Sequence, residues 1–308
     1  MSSPNNKPLA LIILDGWGTS QRSEGNAISL ARTPFYDEIC AKYQMTILKA
    51  SGEAVGQPPD TPGNAEIGHI NIGTGRAARS ESFRIEAAIR SEEFFRNETL
   101  IRAFAELAAS RRPLHLVGLL SDGGDHSTTD TLFALLRMAK RAGLDNVFVH
   151  CILDGVDVMP RTADVYVEAL EIKLADIGIG RIATLCGRYF AMDNRMRWER
   201  TARAFTMLVH AEGERSNDAV GSIRNSFLRG IADEFIAPIV LESEPGVPVA
   251  RIEDGDTVMF FNHRPEGMRQ LVRSLCVPDA SGAVKPVVDA VCLTEYDRDF
   301  GLTVAYPS

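Results

Sequence analysis

The sequence has few cysteines, and none of them stands in a recognisable motif. Only five occur among 308 residues, at scattered positions and without a CxxC pair. An odd, scattered set supports neither a disulfide framework nor a zinc knuckle. At least three of the cysteines lie in apolar runs, where a buried and reduced thiol is the ordinary state. We therefore expect a protein of the reducing cytoplasm.

Long apolar runs and excess positive charge are also absent. No run approaches the roughly 18–20 residues needed to cross a bilayer, and the polar stretch 1–8 lacks the pattern of a secretion signal. The formal net charge of −8 disfavours broad binding to nucleic acid or anionic membranes, because both would repel the chain. We expect neither as a partner. A hydrophobic content of 45% nevertheless supplies a sizeable core.

From residue 80 onward, short apolar runs alternate with segments of helical periodicity. The predicted strands are Leu114–Leu120, Val147–Leu153, Arg181–Leu185, Thr257–Phe261 and Val287–Leu293. The predicted helices are Phe83–Arg90, Glu98–Ala109, Thr129–Arg141, Ala163–Ala175, Arg197–His210, Asp218–Leu228 and Glu266–Cys276. This alternation predicts an α/β fold with a mostly parallel sheet and helices on both faces.

The first 80 residues follow a different pattern. The continuous apolar run Pro8–Leu14 predicts a strand buried on both faces. A helix near Thr33–Tyr43 and a second short strand near Met45–Lys49 follow. The segment Ser51–Arg76 is rich in Gly, Pro and Asn, which predicts a long loop. Loops of that length inside compact domains are usually functional.

Polar residues cluster where four of the predicted strands end. The clusters are SDGGDHS at 121–127, DGVD at 154–157, GRYFAMDNR at 187–195 and NHRPEG at 262–267. Ligands of open parallel sheets bind outside the carboxyl ends of the strands. One such cluster alone is more typical of an ordinary turn. Four in register, with His and Arg that turns do not need, favour one shared site.

Other histidines lie inside apolar runs and away from the strand ends. His115, His150 and His210 belong to this group, and we expect them to be core histidines and not ligands. His69 lies in the Gly-rich segment Gly63–Arg76, where it is predicted to bond to loop backbone. The positions of these four histidines give no reason to expect a bound cofactor.

Seven blocks of this sequence resemble the signature blocks of the cofactor-independent (2,3-bisphosphoglycerate-independent) phosphoglycerate mutases. They are LIILDGWG at 11–18, GNAEIGHINIGTGR at 63–76, LHLVGLLSDGGDHS at 114–127, ILDGVDVMPRTA at 152–163, GRYFAMDNRMRWER at 187–200, FFNHRPEGMRQL at 260–271 and LTEYD at 293–297. They occur in family order over essentially the whole chain. Any one block is weak evidence, whereas the ordered set is specific.

The resemblance implies a particular domain organisation. Family members consist of an alkaline-phosphatase-like α/β domain with a transferase domain inserted into it. Residues 1–79 would be the first piece of the phosphatase-like domain, and 80–297 would be the inserted transferase-like domain. Residues 298–308 would begin the return segment. The chain would thus carry an incomplete phosphatase-like domain, without the second half that holds most metal ligands.

The resemblance also implies roles for individual residues. Family members use two manganese ions to activate a serine that carries the phosphoryl group. Asp15 matches a metal ligand, while His126 and Asp157 match the groups that handle substrate protons. Arg188 and Arg264 match substrate-binding arginines. Manganese is expected only if another chain supplies the missing ligands.

Four departures from the family pattern bear on function. Ala65 stands at the nucleophilic serine, and its methyl group can neither carry a phosphoryl group nor bind metal. Val156, Asn194 and Gly267 stand at three arginine positions, with Arg195 as a partial substitute for one. Each lost charged hydrogen bond is worth about 1.5–3 kcal/mol, so anion binding is weakened. The chain alone is not expected to interconvert 2- and 3-phosphoglycerate.

Three functions remain open at this stage. The chain is an enzyme that acts on a small phosphorylated or phosphonate acid, a non-catalytic ligand-binding or regulatory module, or one chain of a split mutase. Ala65 argues against the split mutase, because a second chain would restore the metals and not the nucleophile. The expected small-molecule partner is an anionic metabolite. Over residues 1–79 we also expect a second copy or a partner chain, because two strands and one helix cannot bury both faces of a sheet alone.

Overall fold

The computed structural model describes residues 8–59, 61–278 and 284–307. Residues 114 to 306 contain the strands of a single mixed sheet. Its strands are β1 (Leu114–Leu120), β2 (Val147–Leu153), β3 (Arg181–Gly187), β4 (Glu214–Ser216), β5 (Ile239–Glu244), β6 (Val247–Pro248), β7 (Thr257–Phe260), β8 (Asp289–Thr294) and β9 (Thr303–Tyr306). The strand order is β4-β5-β3-β2-β1-β7-β8-β9, with β6 beside β5. All pairings are parallel except β3–β5 and β5–β6. The predicted mostly parallel α/β sheet is confirmed.

Helices cover both faces of this sheet. The α-helices of the described residues are α1 (Ala27–Leu30), α2 (Pro34–Lys42), α3 (Ala65–Thr74), α4 (Glu81–Arg90), α5 (Glu98–Ser110), α6 (Thr129–Arg141), α7 (Ala163–Ile177), α8 (Arg188–Ala191), α9 (Trp198–His210), α10 (Ala219–Leu228) and α11 (Arg269–Cys276). The first three, α1 to α3, contribute no residue to the two cores on the sheet. The core on one face joins α4 to α7 and α10 to the sheet, and the core on the other joins α8, α9 and α11. The central strands are therefore buried on both sides, as continuous apolar runs predict.

The two predicted strands near the N-terminus do not form. Pro8–Leu14 and Met45–Lys49 have no strand pairing, and the leucines and isoleucines of the first run are 44–96% exposed. A strand needs a neighbour for its N–H and C=O groups, and none of the described segments lies beside these two. The predicted strand and the predicted burial of Pro8–Leu14 were therefore both wrong for the described chain. The polar residues 1–7 lie outside the described ranges.

The segment predicted as a long loop contains a helix. Asn64 caps α3 by accepting the Ile67 N–H at 3.0 Å, and Gly75 ends it in the left-handed conformation. Two glycines inside the helix, Gly68 and Gly73, concealed it, because each lowers helix propensity. The structure also adds short strands that the sequence pattern did not predict, at β4, β5, β6 and β9. Among the described residues no helix is long and apolar enough to cross a membrane.

Two of the predicted core histidines form a buried polar chain across the sheet. His115 Nδ1 lies 2.9 Å from His150 Nε2, His115 Nε2 lies 3.2 Å from Asp256 Oδ2, and His150 Nδ1 lies 2.9 Å from Thr184 Oγ1. These hydrogen bonds connect β1, β2 and β3 with Asp256, the residue just before β7. His210, by contrast, is exposed at the end of α9, so its predicted burial was wrong.

The buried histidines predict that acid destabilises the fold. Burial lowers the pKa of His150 well below its usual 6.5, with His115 adding to the effect, and lowers the pKa of His263 to about 4. The unfolded chain then binds more protons than the folded chain below pH 6.5, so stability is complete above that value and falls as the pH drops toward 4. Each such group contributes up to about 1.4 kcal/mol per pH unit.

Urea denaturation at pH 7.5, 6 and 5 measures this effect. The free energy of unfolding should fall between pH 6.5 and 5, and His150→Gln should reduce the slope. The matched variant His210→Gln, at an exposed position, should keep the slope of the parent chain. A free energy of unfolding that stays constant from pH 7.5 to 5 would contradict the interpretation.

Candidate ligand site at the carboxyl edge of the sheet

The loops after β3, β2, β1 and β7 meet at one edge, because these four strands are consecutive neighbours in the sheet. The predicted grouping of the four polar clusters is therefore present. The contact between the first two loops is close: a Cβ on Gly123 would lie only 2.8 Å from the Cβ of Asp157. Any larger residue at position 123 would push these loops apart. We call the region formed by the loops after β3, β2, β1 and β7 the mouth.

Asp154 is a buried carboxylate that joins three of the loops. Its Oδ2 accepts a hydrogen bond from Ser121 Oγ at 2.5 Å, and its Oδ1 accepts the N–H groups of Val156 and Asp157 at 3.1 and 3.0 Å. Arg188 Nη1 lies 2.6 Å from the same Oδ1. A buried charge needs several such partners to be tolerated. Asp154 therefore sets the relative positions of the loops.

Arg188 lies where the sequence predicts it, at the start of α8 and directly after β3. Its Nη1 also donates to Asp157 Oδ1 at 2.8 Å. Burial acts to lower the pKa of Arg188, but the carboxylates of Asp157 and Asp154 outweigh burial and raise it. Burial raises the pKa of Asp157, while Arg188 opposes that shift. Arg188 and Asp157 are thus brought together as a buried ion pair.

Arg264, which follows β7, is surrounded by carboxylates. Its Nη1 donates to Asp125 Oδ2 at 2.5 Å, its Nη2 donates to Glu266 Oε2 at 2.8 Å, and its Nε lies 3.5 Å from Glu66 Oε2. Asn64 Nδ2 donates to the other oxygen of Asp125 at 3.1 Å. Because Asn64 and Glu66 flank Ala65, these bonds bring the start of α3 against the mouth.

His126 lies beside Asp125 and is buried. Its Nε2 is 3.6 Å from Asp125 Oδ2, while its Nδ1 has no hydrogen-bond partner among the described residues. Burial, aided by the charge of Arg188, lowers the pKa of His126 to about 4, so the imidazole is neutral at pH 7. A nitrogen of His126 and oxygens of Asp125 and Asp157 all lie within 4.8 Å of one another. A neutral imidazole beside a carboxyl group is suited to proton transfer.

His263 holds the loop that carries His126. Its Nε2 lies 3.1 Å from the carbonyl oxygen of Gly124 and 3.2 Å from that of Asp125, so this nitrogen carries the proton. Its backbone N–H donates to the His126 carbonyl oxygen at 2.9 Å. His263, Asp125 and Asp154 were not predicted as site residues. All three lie in the polar clusters that follow strand ends, and membership of those clusters was the signal that could have found them.

The three positions at which the family resemblance predicts arginine carry Val156, Asn194 and Gly267. Val156 is 58% exposed at the rim. Asn194 Nδ2 donates to Glu266 Oε1 at 2.7 Å, so this amide extends the carboxylate network around Arg264. Gly267 has φ of +84°, a conformation that an arginine would adopt only with strain. Arg195 is exposed, and its backbone N–H donates to Asp193 Oδ2 at 3.0 Å.

Ala65, at the position predicted for the nucleophile, is the first residue of α3. It lines a cavity of about 580 Å³ together with Arg264, Glu266 and Trp198. The cavity lies between α3 and the loop after β7. A residue at position 65 therefore faces the same space as Arg264, and the side chain there is a methyl group.

Asp15 does not assemble a manganese site with the described residues. It is exposed, and its Oδ1 lies 3.1 Å from His69 Nε2. No third His, Cys, Asp or Glu from the described ranges joins this pair within ligand distance. Two ligands are too few for a stable manganese centre. The residues present do not fit the ion, and His69 contacts Asp15 where a backbone contact was expected.

A parallel sheet with a polar mouth at its carboxyl edge defines an α/β ligand-handling protein. A family profile described as the BPG-independent PGAM N-terminus matches residues 85–298. The chain belongs to the 2,3-bisphosphoglycerate-independent phosphoglycerate mutase family.

Curated relatives and a solved structure agree with this assignment. The chain is 47% identical over 306 residues to the 2,3-bisphosphoglycerate-independent phosphoglycerate mutase of Moorella thermoacetica, covering 98% of this chain and 60% of that one. It is 46% identical over 308 residues to that of Desulforudis audaxviator, covering 99% and 60%. A Leishmania mexicana phosphoglycerate mutase structure determined at low cobalt concentration matches with a TM-score of 0.84 and 28% identity, over 90% of this chain and 53% of that one. The chain thus spans about 60% of its curated relatives' length.

The Asp154 network predicts a large stability cost for its disruption. Asp154→Asn leaves the guanidinium of Arg188 with a single carboxylate partner in a buried site. Removing one member of a buried ion pair costs about 3–5 kcal/mol, so the midpoint of urea unfolding should fall strongly.

Glu168→Gln is the matched control, since it makes the same chemical change in an exposed pair with Arg224 at 3.2 Å. Its effect should stay within about 1 kcal/mol. Equal effects of the two variants would show that Asp154 does not hold the mouth together.

Proposed function

We propose that this chain binds a small phosphorylated or phosphonate acid at the mouth and does not transfer a phosphoryl group through position 65. The observation that supports the proposal is the combination of two features. His126, Asp157, Arg188 and Arg264 lie together, whereas the α3 residue that lines a cavity with Arg264 is Ala65. A scaffold of this kind keeps the groups that hold an acid and lacks the hydroxyl that would carry its phosphate.

The arginines supply the anion contacts in this proposal. Guanidinium groups bind phosphate and carboxylate through paired N–H donors. Both guanidiniums already contact at least two carboxylates each, so an incoming acid has to displace one of them. Glu66 and Glu266 are the most available for displacement, because their side chains are 54% and 47% exposed. We therefore expect modest affinity and a preference for ligands that carry two anionic groups.

Proton handling falls to His126 and Asp157. The imidazole is neutral at pH 7 and has a lone pair that accepts a proton, and the raised pKa of the Asp157 carboxyl increases the fraction of that group that carries a proton to donate. Both groups are positioned by contacts within the mouth, Asp157 by Arg188 and His126 beside Asp125. A turnover assay distinguishes transformation of the bound acid from binding alone.

Calorimetric titration with 3-phosphoglycerate, 2-phosphoglycerate and a phosphonate analogue tests the binding proposal. Arg264→Gln should weaken binding about tenfold to a hundredfold, which corresponds to one or two charged hydrogen bonds. Arg224→Gln, the same change in an exposed ion pair on α10, should leave the affinity unchanged. Equal affinities for the parent chain and Arg264→Gln, or no binding of any of the three acids, would end the proposal.

A second candidate, one chain of a split mutase, is favoured by the exposed apolar side chains of residues 9–14 and 45–48. Such a surface is typical of a chain that packs against another one. A second copy or a partner chain over residues 1–79 remains a prediction, as does a manganese site completed by that partner. Ala65 continues to argue against phosphoryl transfer in either assembly.

Conversion of 3-phosphoglycerate to 2-phosphoglycerate in the presence of manganese separates these candidates. The assay compares the chain and its Ala65→Ser variant, each alone and mixed with the portion of the Moorella relative that this chain does not match. The unaltered chain should be inactive in both conditions, because no hydroxyl accepts the phosphoryl group. Activity of Ala65→Ser in the mixture alone would support the split mutase, and activity of the unaltered chain would refute our account of position 65.

A further inference from the structure

Three potential ligand atoms converge in the mouth without being fully used. One atom each from Asp125, His126 and Asp157 lies within 4.8 Å of the other two, and among the described residues no other group of three His, Cys, Asp or Glu does so. Two polar atoms of these residues, His126 Nδ1 and Asp157 Oδ2, are buried and have no hydrogen-bond partner among the described residues. His126 is 7% exposed as a whole. Buried polar atoms are nearly always paired, so each orphan calls for an explanation.

The local charges favour a cation at this point. Arg188 is held by Asp154 and Asp157, and Arg264 is held by Glu66, Asp125 and Glu266. Carboxylates therefore outnumber guanidiniums in the mouth by five to two. A bound cation would offset this surplus of negative charge. The same carboxylates reduce the repulsion between the cation and the two arginines.

The neighbouring contacts orient the three ligands. Asp157 uses Oδ1 for Arg188, which leaves Oδ2 free. Asp125 is fixed by Asn64 on one oxygen and by Arg264 on the other, and each oxygen keeps a further lone pair. Hydrogen bonds of this kind from outside the ligand set are what hold metal ligands in place. Asp125 also lines a cavity of about 230 Å³, which gives an ion a route from solvent.

We propose that Asp125, His126 and Asp157 bind one divalent transition-metal cation at the mouth. One imidazole nitrogen and two carboxylate oxygens suit ions of intermediate softness such as Zn²⁺ or Co²⁺. Three protein ligands leave at least one coordination position open for water or for a ligand oxygen. This site is separate from Asp15 and His69. Where the binding function proposed above also holds, the cation supplies a positive charge that the missing arginines do not.

The proposal is tested with the metal alone, on the full chain. Titration with Co²⁺ should saturate at one equivalent and produce the visible absorption bands of protein-bound cobalt, and Zn²⁺ should displace it. Asp125→Asn and Asp157→Asn should each weaken Co²⁺ binding at least tenfold. Asp15→Asn and His69→Gln change the competing exposed pair and should leave the titration unchanged. Circular dichroism and thermal unfolding verify that each variant is folded.

A second measurement does not depend on the folding of the mouth variants. X-ray absorption of Co²⁺ bound to the Asp15→Asn/His69→Gln double variant should show one imidazole nitrogen and otherwise oxygen ligands. Absence of saturable Co²⁺ binding, binding that survives Asp157→Asn in a folded variant, or loss of binding in the double variant would each overturn the proposal. Because no phosphorylated acid is present, these outcomes are independent of whether the proposed function is correct.

Discussion

The mouth depends on one buried carboxylate, Asp154, which is shared among three loops of the sheet. A carboxylate in this position is stable only while Ser121, two backbone N–H groups and Arg188 all contact it. These contacts come from the ends of β1, β2 and β3. The register of these three adjacent strands therefore determines whether the hydrogen-bond network can form. Arg188 in turn fixes Asp157, and the geometry of the site follows from the packing of the sheet.

The same network limits what the mouth can bind. Each guanidinium that a phosphorylated acid would use is already paired with carboxylates. Binding therefore exchanges one ion pair for another, and the net gain is smaller than the contacts alone suggest. A ligand that displaces Glu66 or Glu266, or a cation that neutralises the carboxylates, would improve the electrostatic balance of the mouth.

Much of the sheet was predictable from the sequence, for a physical reason. Strands β1 and β2 are continuous apolar runs bounded by turn residues, and their limits were predicted to the residue. Strand β4 is three polar residues at an edge of the sheet, where no apolar pattern exists to detect. Pro8–Leu14 carries a strong pattern but no neighbour within the described chain. Local composition reports the tendency to be buried and cannot report whether a pairing strand is present.

The site was predictable to a similar extent. His126, Asp157, Arg188 and Arg264 were expected together, because they follow parallel strands, and the structure brings them together. Which charges pair could not be predicted, since that depends on distances between loops that the sequence does not encode locally. Asp125 illustrates the point: between Gly124 and His126 it resembles a turn residue, yet its side chain connects Asn64 to Arg264.

The departures from the family pattern are coupled in space, and this coupling bears on their meaning. Asn194 and Arg264 both bond to Glu266, and Gly267 takes a left-handed conformation directly after it. An arginine returned to position 194 would meet Glu266 and the guanidinium of Arg264 together, and one returned to 267 would strain the backbone. Single changes to arginine at these two positions would therefore not simply add a free guanidinium to the mouth. Asn194, Glu266 and Arg264 form one connected arrangement, in which a carboxylate lies between an amide and a guanidinium.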